Sequence, residues 1–196
     1  MKIELQNVLP EEIENRSFEI IGEELGGVEL DPVLEPVIKR VIHTTADFEY
    51  LGNLKFSEDA VQKGIEALKK GAVIVTDTQM ARSGINKSVV EALGGEVLCF
   101  MSDPDVAAAA KANGTTRATA SMNKAAELDR PVIFAIGNAP TALVRIYELV
   151  KEGKIKPELI VGVPVGFVNV VESKELILEL PIPYIVARGR KGGSNV

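Results

Sequence analysis

The sequence predicts an α/β fold of three layers, α/β/α, built on a five-stranded parallel sheet of the flavodoxin-like type. Two observations support this prediction. From residue 57 onward, short runs rich in Val and Ile alternate with segments of helical periodicity. The runs are apolar almost throughout, which is typical of parallel strands that are covered on both faces. A Rossmann-like strand order stays open, because periodicity does not determine which strands are neighbours.

Two helices are expected before the sheet begins. Between residues 10 and 25, the apolar side chains form one broad stripe at helical spacing. Asp31 and Pro32 form a favourable pair of N-cap and first helical residue, and they predict a second helix that runs to about Ile42. His43 would then follow directly after the end of that helix.

The rest of the chain alternates between helix and strand. A helical segment at 57–70 ends at Gly71, and a β-rich run follows at 72–77. Further strand-like runs occur at 96–100, 131–137, 158–166 and 184–189. Helical patterns lie between them at 86–93, 104–129, 140–151 and 169–179. No internal repeat or linker interrupts the alternation, so we expect residues 1–196 to form a single domain.

The composition disfavours several classes of partner. The chain has 28 acidic and 22 basic residues and a net charge of -6, which is unfavourable for binding nucleic acid or an anionic membrane. No apolar run is long enough to span a bilayer, and the N-terminus lacks the pattern of a secretory leader, so we expect a cytoplasmic protein. One His and one Cys cannot supply the usual ligands of a zinc site, and Cys99 is expected to be a small buried residue.

The segments after the predicted strands are the expected ligand site, because ligands of open parallel sheets bind beyond the carboxyl ends of the strands. Although the chain is acidic, cations gather in or near these segments, namely Arg82, Arg117, Arg188, Arg190 and Lys191. Each of them alone could equally be a solvated surface group. Together they favour a small polyanionic ligand. The last segment, RGRKGGS (188–194), has the composition of a flexible, donor-rich anion cradle, but it lacks the P-loop spacing.

His43, the single histidine of the chain, is the main candidate for acid/base chemistry. A lone histidine beside an apolar helix is often a structural residue. At the C-terminal end of a helix, however, the dipole favours an imidazolium, and Asp47 or Glu49 could add to this effect. His43 could then donate a proton near neutral pH.

Three aspartates offer a weaker alternative. Asp77, Asp103 and Asp105 follow predicted strands and could hold a hydrated Mg²⁺ ion. Asp103 precedes Pro104, however, and is explained more simply as the N-cap of a helix. We therefore expect no bound metal.

Seven segments, in the same order along the chain, resemble the precorrin-8X methylmutase family, whose members are also called cobalt-precorrin-8 methylmutases. The segments are RSFEII (16–21), VIHTTADFE (41–49), TDTQMARSGI (76–85), TRATASM (116–122), IGNAPTAL (136–143), GVPVGFVNVVESK (162–174) and GRKGGSNV (189–196). They cover essentially the whole chain. Family members usually continue past the last segment into another helix, so this C-terminal helix is expected to be absent or trimmed here.

The resemblance implies an isomerase of corrin biosynthesis that needs no cofactor. Such an enzyme moves a methyl group from C11 to C12 of precorrin-8x or cobalt-precorrin-8 and gives hydrogenobyrinic acid or its cobalt form. The resemblance also implies a homodimer of flavodoxin-like subunits with the substrate near the interface. His43, in the HTTADFE motif, would be the catalytic acid/base, and Ser17, Arg40 and Thr44 would contact the substrate.

A tetrapyrrole with acetate and propionate arms is a small polyanion, for which arginine side chains and backbone N–H groups are suitable partners. We therefore also expect Ser83, Gly84 and Arg117 at the substrate, together with Arg190 and Lys191. Two rival functions stay open. One is a tetrapyrrole carrier without catalysis, and the other is a phosphate-ligand or nucleotide enzyme that uses RGRKGGS as its anion site.

Overall fold

The structure, a computed structural model, describes residues 8–196, and the chain divides into two compact units, Met1–Leu51 and Gly52–Val196. The first unit is helical. A 3₁₀ turn at Pro10–Glu12 leads into α1 (Ile13–Glu24), which packs on α2 (Glu35–Thr45). The apolar stripes of the two helices supply the buried side chains of this unit, among them Ile21, Ile38, Val41 and Ile42. The short helix α3 (Tyr50–Asn53) spans the boundary between the units.

The start of α2 differs from the prediction. Asp31 does not cap this helix, because its Oδ1 accepts a hydrogen bond from the Val33 N–H at 2.7 Å and closes a local turn. The helix begins only at Glu35. An Asp-Pro pair is compatible with either arrangement, and the local hydrogen bond selects the turn.

The end of α2 also lies later than predicted. The helix continues past Ile42 to Thr45 and ends at Ala46, which has a left-handed φ of 52° and donates its N–H to the Ile42 carbonyl. His43 therefore lies within the last helical turn and not after it. This position still carries the negative end of the helix dipole, which favours a cationic side chain.

The second unit contains one sheet of six strands. The strands are β1 (Leu54–Phe56), β2 (Val73–Thr76), β3 (Glu96–Leu98), β4 (Val132–Ile136), β5 (Leu159–Gly162) and β6 (Tyr184–Ala187). Their order across the sheet is β1-β6-β5-β4-β2-β3. The five parallel strands are those predicted, and their order is that of flavodoxin-like folds, which decides against the Rossmann-like alternative. The count of five was wrong, because β1 adds a short antiparallel edge next to β6.

Helices cover both faces of this sheet and complete the three predicted layers. They are α4 (Ala60–Lys69), α5 (Gln79–Gly84), α6 (Lys87–Ala92), α7 (Pro104–Ala112), α8 (Arg117–Ala125), α9 (Pro140–Lys151) and α10 (Val170–Leu178). The single helix predicted at 104–129 is two helices, which are separated at Gly114 with its φ of 60°. The short α5 was not predicted. No helix in the described part of the chain has both the length and the apolar character needed to cross a bilayer.

The core lies in two layers, one on each face of the sheet. Along β2, Val73 and Val75 pack towards the cluster formed with α8, α9 and α10, whereas Ile74 packs towards α4 and α6. Along β4, Phe134 and Ile133 divide between the two faces in the same way. Burial of every residue of β2 explains why the strand reads as one apolar run.

Candidate active site

A cleft of about 300 Å³ lies in the helical first unit, between α1 and α2. It is mainly apolar and contains one hydroxyl, one carboxylate and one imidazole. Its lining residues are Ser17, Ile20, Ile21, Glu24, Ile42, His43, Ala46 and Phe48. A mostly apolar wall with a few polar groups suits a large amphipathic ligand. His43 is half-buried in this cleft.

Ser17 is held in place by its own helix. Its Oγ donates to the carbonyl oxygen of Ile13, one turn earlier, at 2.8 Å. This bond uses the hydroxyl proton and leaves the oxygen lone pairs to accept a hydrogen bond from a ligand. The structure therefore brings Ser17 and His43 together in one cleft.

Phe18 links two of the predicted site residues. Its ring centroid lies 5.3 Å from that of the His43 imidazole, with a tilt of 32° between the rings. The guanidinium carbon of Arg40 lies 4.8 Å from the same phenyl centroid. Arg40 and His43 are three residues apart and therefore lie on the same face of α2. Phe18 was missed in the sequence, although the RSFEII motif places it next to Ser17.

An acidic residue, Glu14, lies next to Arg40. Arg40 Nη2 donates to Glu14 Oε1 at 2.8 Å. The hydrogen bond and the charge of Arg40 lower the pKa of the Glu14 carboxyl, and the charge of His43 adds a smaller lowering. Asp47 Oδ1 accepts a local hydrogen bond from the Glu49 N–H at 3.0 Å. Glu14 is thus an acidic partner of Arg40, which local sequence spacing does not indicate.

In the second unit, Asp77 organises the carboxyl end of the sheet. It follows β2 and is only 1% exposed. Its two carboxylate oxygens accept the N–H groups of Gly137 and Asn138 at 2.9 Å and of Ala139 at 2.5 Å. Burial raises the pKa of this carboxyl, and the three N–H groups act in the opposite direction. Asp77 thus joins the end of β2 to the start of α9.

The other two aspartates of the magnesium alternative are used elsewhere. The Nζ of Lys124 lies 2.7 Å from Asp103 Oδ2 and 2.7 Å from Asp105 Oδ2. Asp103 does occupy the N-cap position of α7, as predicted, but its side chain bonds Lys124 and not the helix backbone. Within residues 8–196, no three acidic, histidine or cysteine side chains are grouped as a metal site.

The C-terminal segment is packed, and the flexibility predicted for it as an anion cradle is contradicted at Gly192 and Gly193. Gly193 donates its N–H to the Val163 carbonyl at 2.8 Å, and the hydroxyl oxygens of Ser194 and Thr78 are 2.7 Å apart. A Cβ at Gly192 would overlap the carbonyl oxygen of Val163. These glycines permit the close approach of two backbones, and that approach removes their freedom to wrap around an anion.

The cations expected at the sheet edge fall into two groups. Arg82 Nε donates to the Val97 carbonyl at 3.1 Å, and Arg188 binds both carboxylate oxygens of Glu175, at 2.7 and 2.9 Å. These two arginines are engaged within the fold. Arg188 is nonetheless exposed, as are the three other cations, namely Arg117 at the first position of α8, Arg190 and Lys191.

The remaining predicted residues lie on short elements. Ser83 and Gly84 end α5, so they belong to a helix and not to the expected turn. Gly84 lines a cleft of about 290 Å³ that also contains Gly137 and residues 193–196. Thr44 is exposed on α2. The structure therefore places Ser17, Arg40, His43 and Thr44 in the first unit, and Ser83, Gly84, Arg117, Arg190 and Lys191 in the second.

Lys174 on α10 is a further polar residue that the sequence reading missed. It is fully buried, and its Nζ donates to the carbonyl oxygens of Gly189 and Lys191 at 2.8 Å each. Burial lowers the pKa of this lysine to about 8. A signal was present, because Val170, Lys174 and Ile177 share the spacing of a buried helical face.

The pKa of Lys174 predicts a specific pH dependence of stability. Between pH 8 and the ordinary pKa of 10.5, the unfolded chain carries one more proton on this residue than the folded chain does. Folding is therefore favoured as the pH rises, and from pH 8 to 10 the free energy of unfolding should increase by about 2 kcal/mol more than in Lys174→Met. Urea unfolding of both proteins measures this difference. Parallel pH profiles would contradict it.

Comparisons with known proteins agree on one family. The family model of precorrin-8X methylmutase matches residues 12–196. The cobalt-precorrin-8 methylmutase of Priestia megaterium is 49% identical over 189 residues, which are 96% of this chain and 84% of that protein. The enzyme of the same name from Salmonella typhimurium is 46% identical over 193 residues, 95% of this chain and 90% of that one. The crystal structure of precorrin-8x methyl mutase from Thermus thermophilus matches this chain with a TM-score of 0.84 and 41% sequence identity. The match covers 94% of this chain and 90% of the Thermus thermophilus chain. This chain therefore belongs to the precorrin-8X methylmutase family.

Proposed function

We propose that this protein moves a methyl group from C11 to C12 of cobalt-precorrin-8 or precorrin-8x, with His43 as the general acid/base. Family membership makes the chain a methylmutase, an isomerase of cobalamin biosynthesis. The observation that carries the finer proposal is the position of His43, half-buried in an apolar cleft next to Ser17. Hydrogenobyrinic acid or its cobalt form would be the product.

In this mechanism His43 acts as an imidazolium. It donates a proton to a ring nitrogen of the macrocycle, which withdraws electron density from the conjugated carbons that include C12. The C11–methyl bond then breaks while the C12–methyl bond forms, and the proton returns to His43 afterwards. The step is redox-neutral because one carbon–carbon bond replaces another. An acid placed within hydrogen-bond reach stabilises the transition state more than the ground state.

The other site residues would bind and orient the substrate. Its carboxylate arms would form ion pairs with the cationic side chains, namely Arg40, Arg117, Arg190 and Lys191. Its polar edge would form hydrogen bonds with the hydroxyls of Ser17, Thr44 and Ser83 and with the backbone at Gly84. Donors that hold a bound macrocycle in the geometry of migration would supply rate by orientation. We also propose a cytoplasmic homodimer with the substrate near the subunit interface, as the family resemblance implies.

Turnover of the purified protein tests this function directly. We expect cobalt-precorrin-8, and separately precorrin-8x, to change their visible absorption when the protein is added, because migration alters the conjugated system. The cobalt form is the first choice, since both curated relatives described above carry its name. Binding of the product without turnover of either substrate would indicate a carrier. Thermal stabilisation by nucleotides but not by corrinoids would indicate a nucleotide enzyme.

Arg117→Gln tests whether the exposed cation on α8 binds the substrate. A hydrogen bond to a charged group contributes about 1.5–3 kcal/mol, so we expect KM to rise about 10- to 100-fold while kcat changes little. Steady-state kinetics separate the two constants. Lys111→Gln removes another exposed cation, from α7, and should leave both unchanged. An unaltered KM in Arg117→Gln would remove this residue from the binding site.

A further inference from the structure

The environment of Lys174 is unusual for a charged residue. The side chain is fully buried on α10, and both hydrogen bonds that the structure gives its ammonium go to neutral carbonyl oxygens, those of Gly189 and Lys191. Burial of a charge is costly, and buried lysines are usually paired with a carboxylate. The role of this buried lysine should therefore lie in the backbone segment that its ammonium bonds.

That segment is the turn at 189–191, and each of its carbonyl groups is bonded. Lys174 holds the carbonyls of Gly189 and Lys191, and the N–H of Gly166 donates to the Arg190 carbonyl at 3.2 Å. Three consecutive carbonyls thus have donors from the rest of the second unit. The backbone of the turn is fixed, while the side chains of Arg190 and Lys191 remain exposed.

The side chain of Arg190 is itself oriented. Its guanidinium carbon lies 5.5 Å from the ring centroid of Phe167, whose ring is 82% exposed. Phe167 belongs to the connection that follows β5, and Gly166 in the same connection bonds the Arg190 backbone. Both contacts depend on where the turn at 189–191 lies. Lys174 bonds the carbonyl oxygens of the first and the last residue of this turn from the buried side.

We propose that Lys174 is a positioning residue for substrate binding. Its buried ammonium holds the carbonyls of Gly189 and Lys191, so that Arg190 presents its guanidinium to a carboxylate of a polyanionic ligand. The ligand in this proposal rests on the function proposed above. The two hydrogen bonds from Lys174 to the turn, which we call the tether, rest on the structure. Lys174 does not touch the ligand and acts through Arg190. A residue without donors at this position would leave both carbonyls unsatisfied and release the turn.

Lys174→Met tests the tether, because methionine is similar in length and lacks the donors. We expect amide hydrogen exchange in residues 189–196 to accelerate about tenfold or more, while exchange in β4 and α9 stays unchanged. Lys111→Met, on the exposed surface of α7, is the matched control and should leave the exchange as in the wild type. Unaltered exchange in 189–196 of Lys174→Met would overturn the tether.

A double-mutant cycle with Arg190→Gln tests whether the tether serves binding. The probe is hydrogenobyrinic acid and, in parallel, its cobalt form. We expect Arg190→Gln to weaken binding about tenfold in the wild-type background and less than about threefold in Lys174→Met, because the guanidinium is already displaced there. A purely structural lysine would give additive effects, and additivity overturns the proposal.

Two further outcomes are informative. If Lys174→Met fails to fold, Lys174→Gln retains an NH₂ donor on a side chain that is one bond shorter. It should show an intermediate exchange rate and affinity, and wild-type values in that variant overturn the proposal. If the wild-type protein binds neither corrinoid, the proposed function and the ligand part of this proposal are wrong. Hydrogen exchange still decides the tether in that case, because it needs no ligand.

Discussion

His43→Ala is expected to lower kcat by about 10²–10⁴-fold, the usual contribution of a positioned general acid. The affinity for the product should change little, because the arginines and hydroxyls that bind the macrocycle remain. Loss of an interaction made only in the transition state lowers kcat without raising KM. Single-turnover absorption measurements give the chemical step, and spectral titration with hydrogenobyrinic acid gives the affinity.

Added imidazole distinguishes proton transfer from packing in this variant. His43 is half-buried against Phe18, so alanine also removes a ring from the cleft. If the imidazole group itself transfers the proton, free imidazole should restore part of the lost rate. Lys39→Gln, on the same helix, is the control and should retain wild-type kinetics. Wild-type turnover by His43→Ala would show that the methyl migration does not use this residue.

Asp77→Ala is expected to cause the largest loss of stability. The substitution leaves three N–H groups without their acceptor, that of Gly137 in a buried place and those of Asn138 and Ala139 in partly buried ones. An unsatisfied buried donor costs about 1–3 kcal/mol, and the two partly buried donors cost less because water can reach them, so the free energy of unfolding should fall by about 3–5 kcal/mol in total. Urea unfolding measures this change, provided that one cooperative transition is observed.

An exposed aspartate provides the control for this experiment. Asp129, in the connection before β4, is exposed, and Asp129→Ala should change the stability by no more than about 0.5 kcal/mol. Asp77→Asn separates the loss of charge from the loss of acceptor. Its amide oxygen can accept from only some of the three donors, so its stability should lie between those of wild type and Asp77→Ala. Equal stability of Asp77→Ala and Asp129→Ala would show that the three bonds contribute nothing.

Strands buried on both faces were the most predictable part of the fold. β4 is apolar at every position, and β2 at every position but Thr76, because both faces of the sheet are covered, and such runs are visible without a structure. The edge strand β1 has three residues and pairs on one side only, so it leaves no such run. The short α5 contains only two apolar residues, Met80 and Ala81, which are adjacent and therefore show no helical period.

Part of the candidate site was predictable from motifs. Ser17, His43 and Thr44 lie in two continuous segments that resemble those of the family, and Arg40 directly precedes the second segment. Glu14 was not predictable, since its contact with Arg40 joins two helices across a turn. The roles expected for Arg82 and Arg188 also changed, because each has a partner within the fold that residue type does not reveal.

Sequence by itself determined the family, the three-layer α/β class and the candidate acid/base His43, because these follow from local apolar periodicity and from continuous motifs. The tertiary structure alone decided the strand order, the acceptance of three backbone N–H groups by Asp77 and the burial of Lys174 under the turn at 189–191. Each of these joins residues far apart in the chain. The free energy of such contacts depends on the position of partners after folding, which no local pattern of residue types specifies.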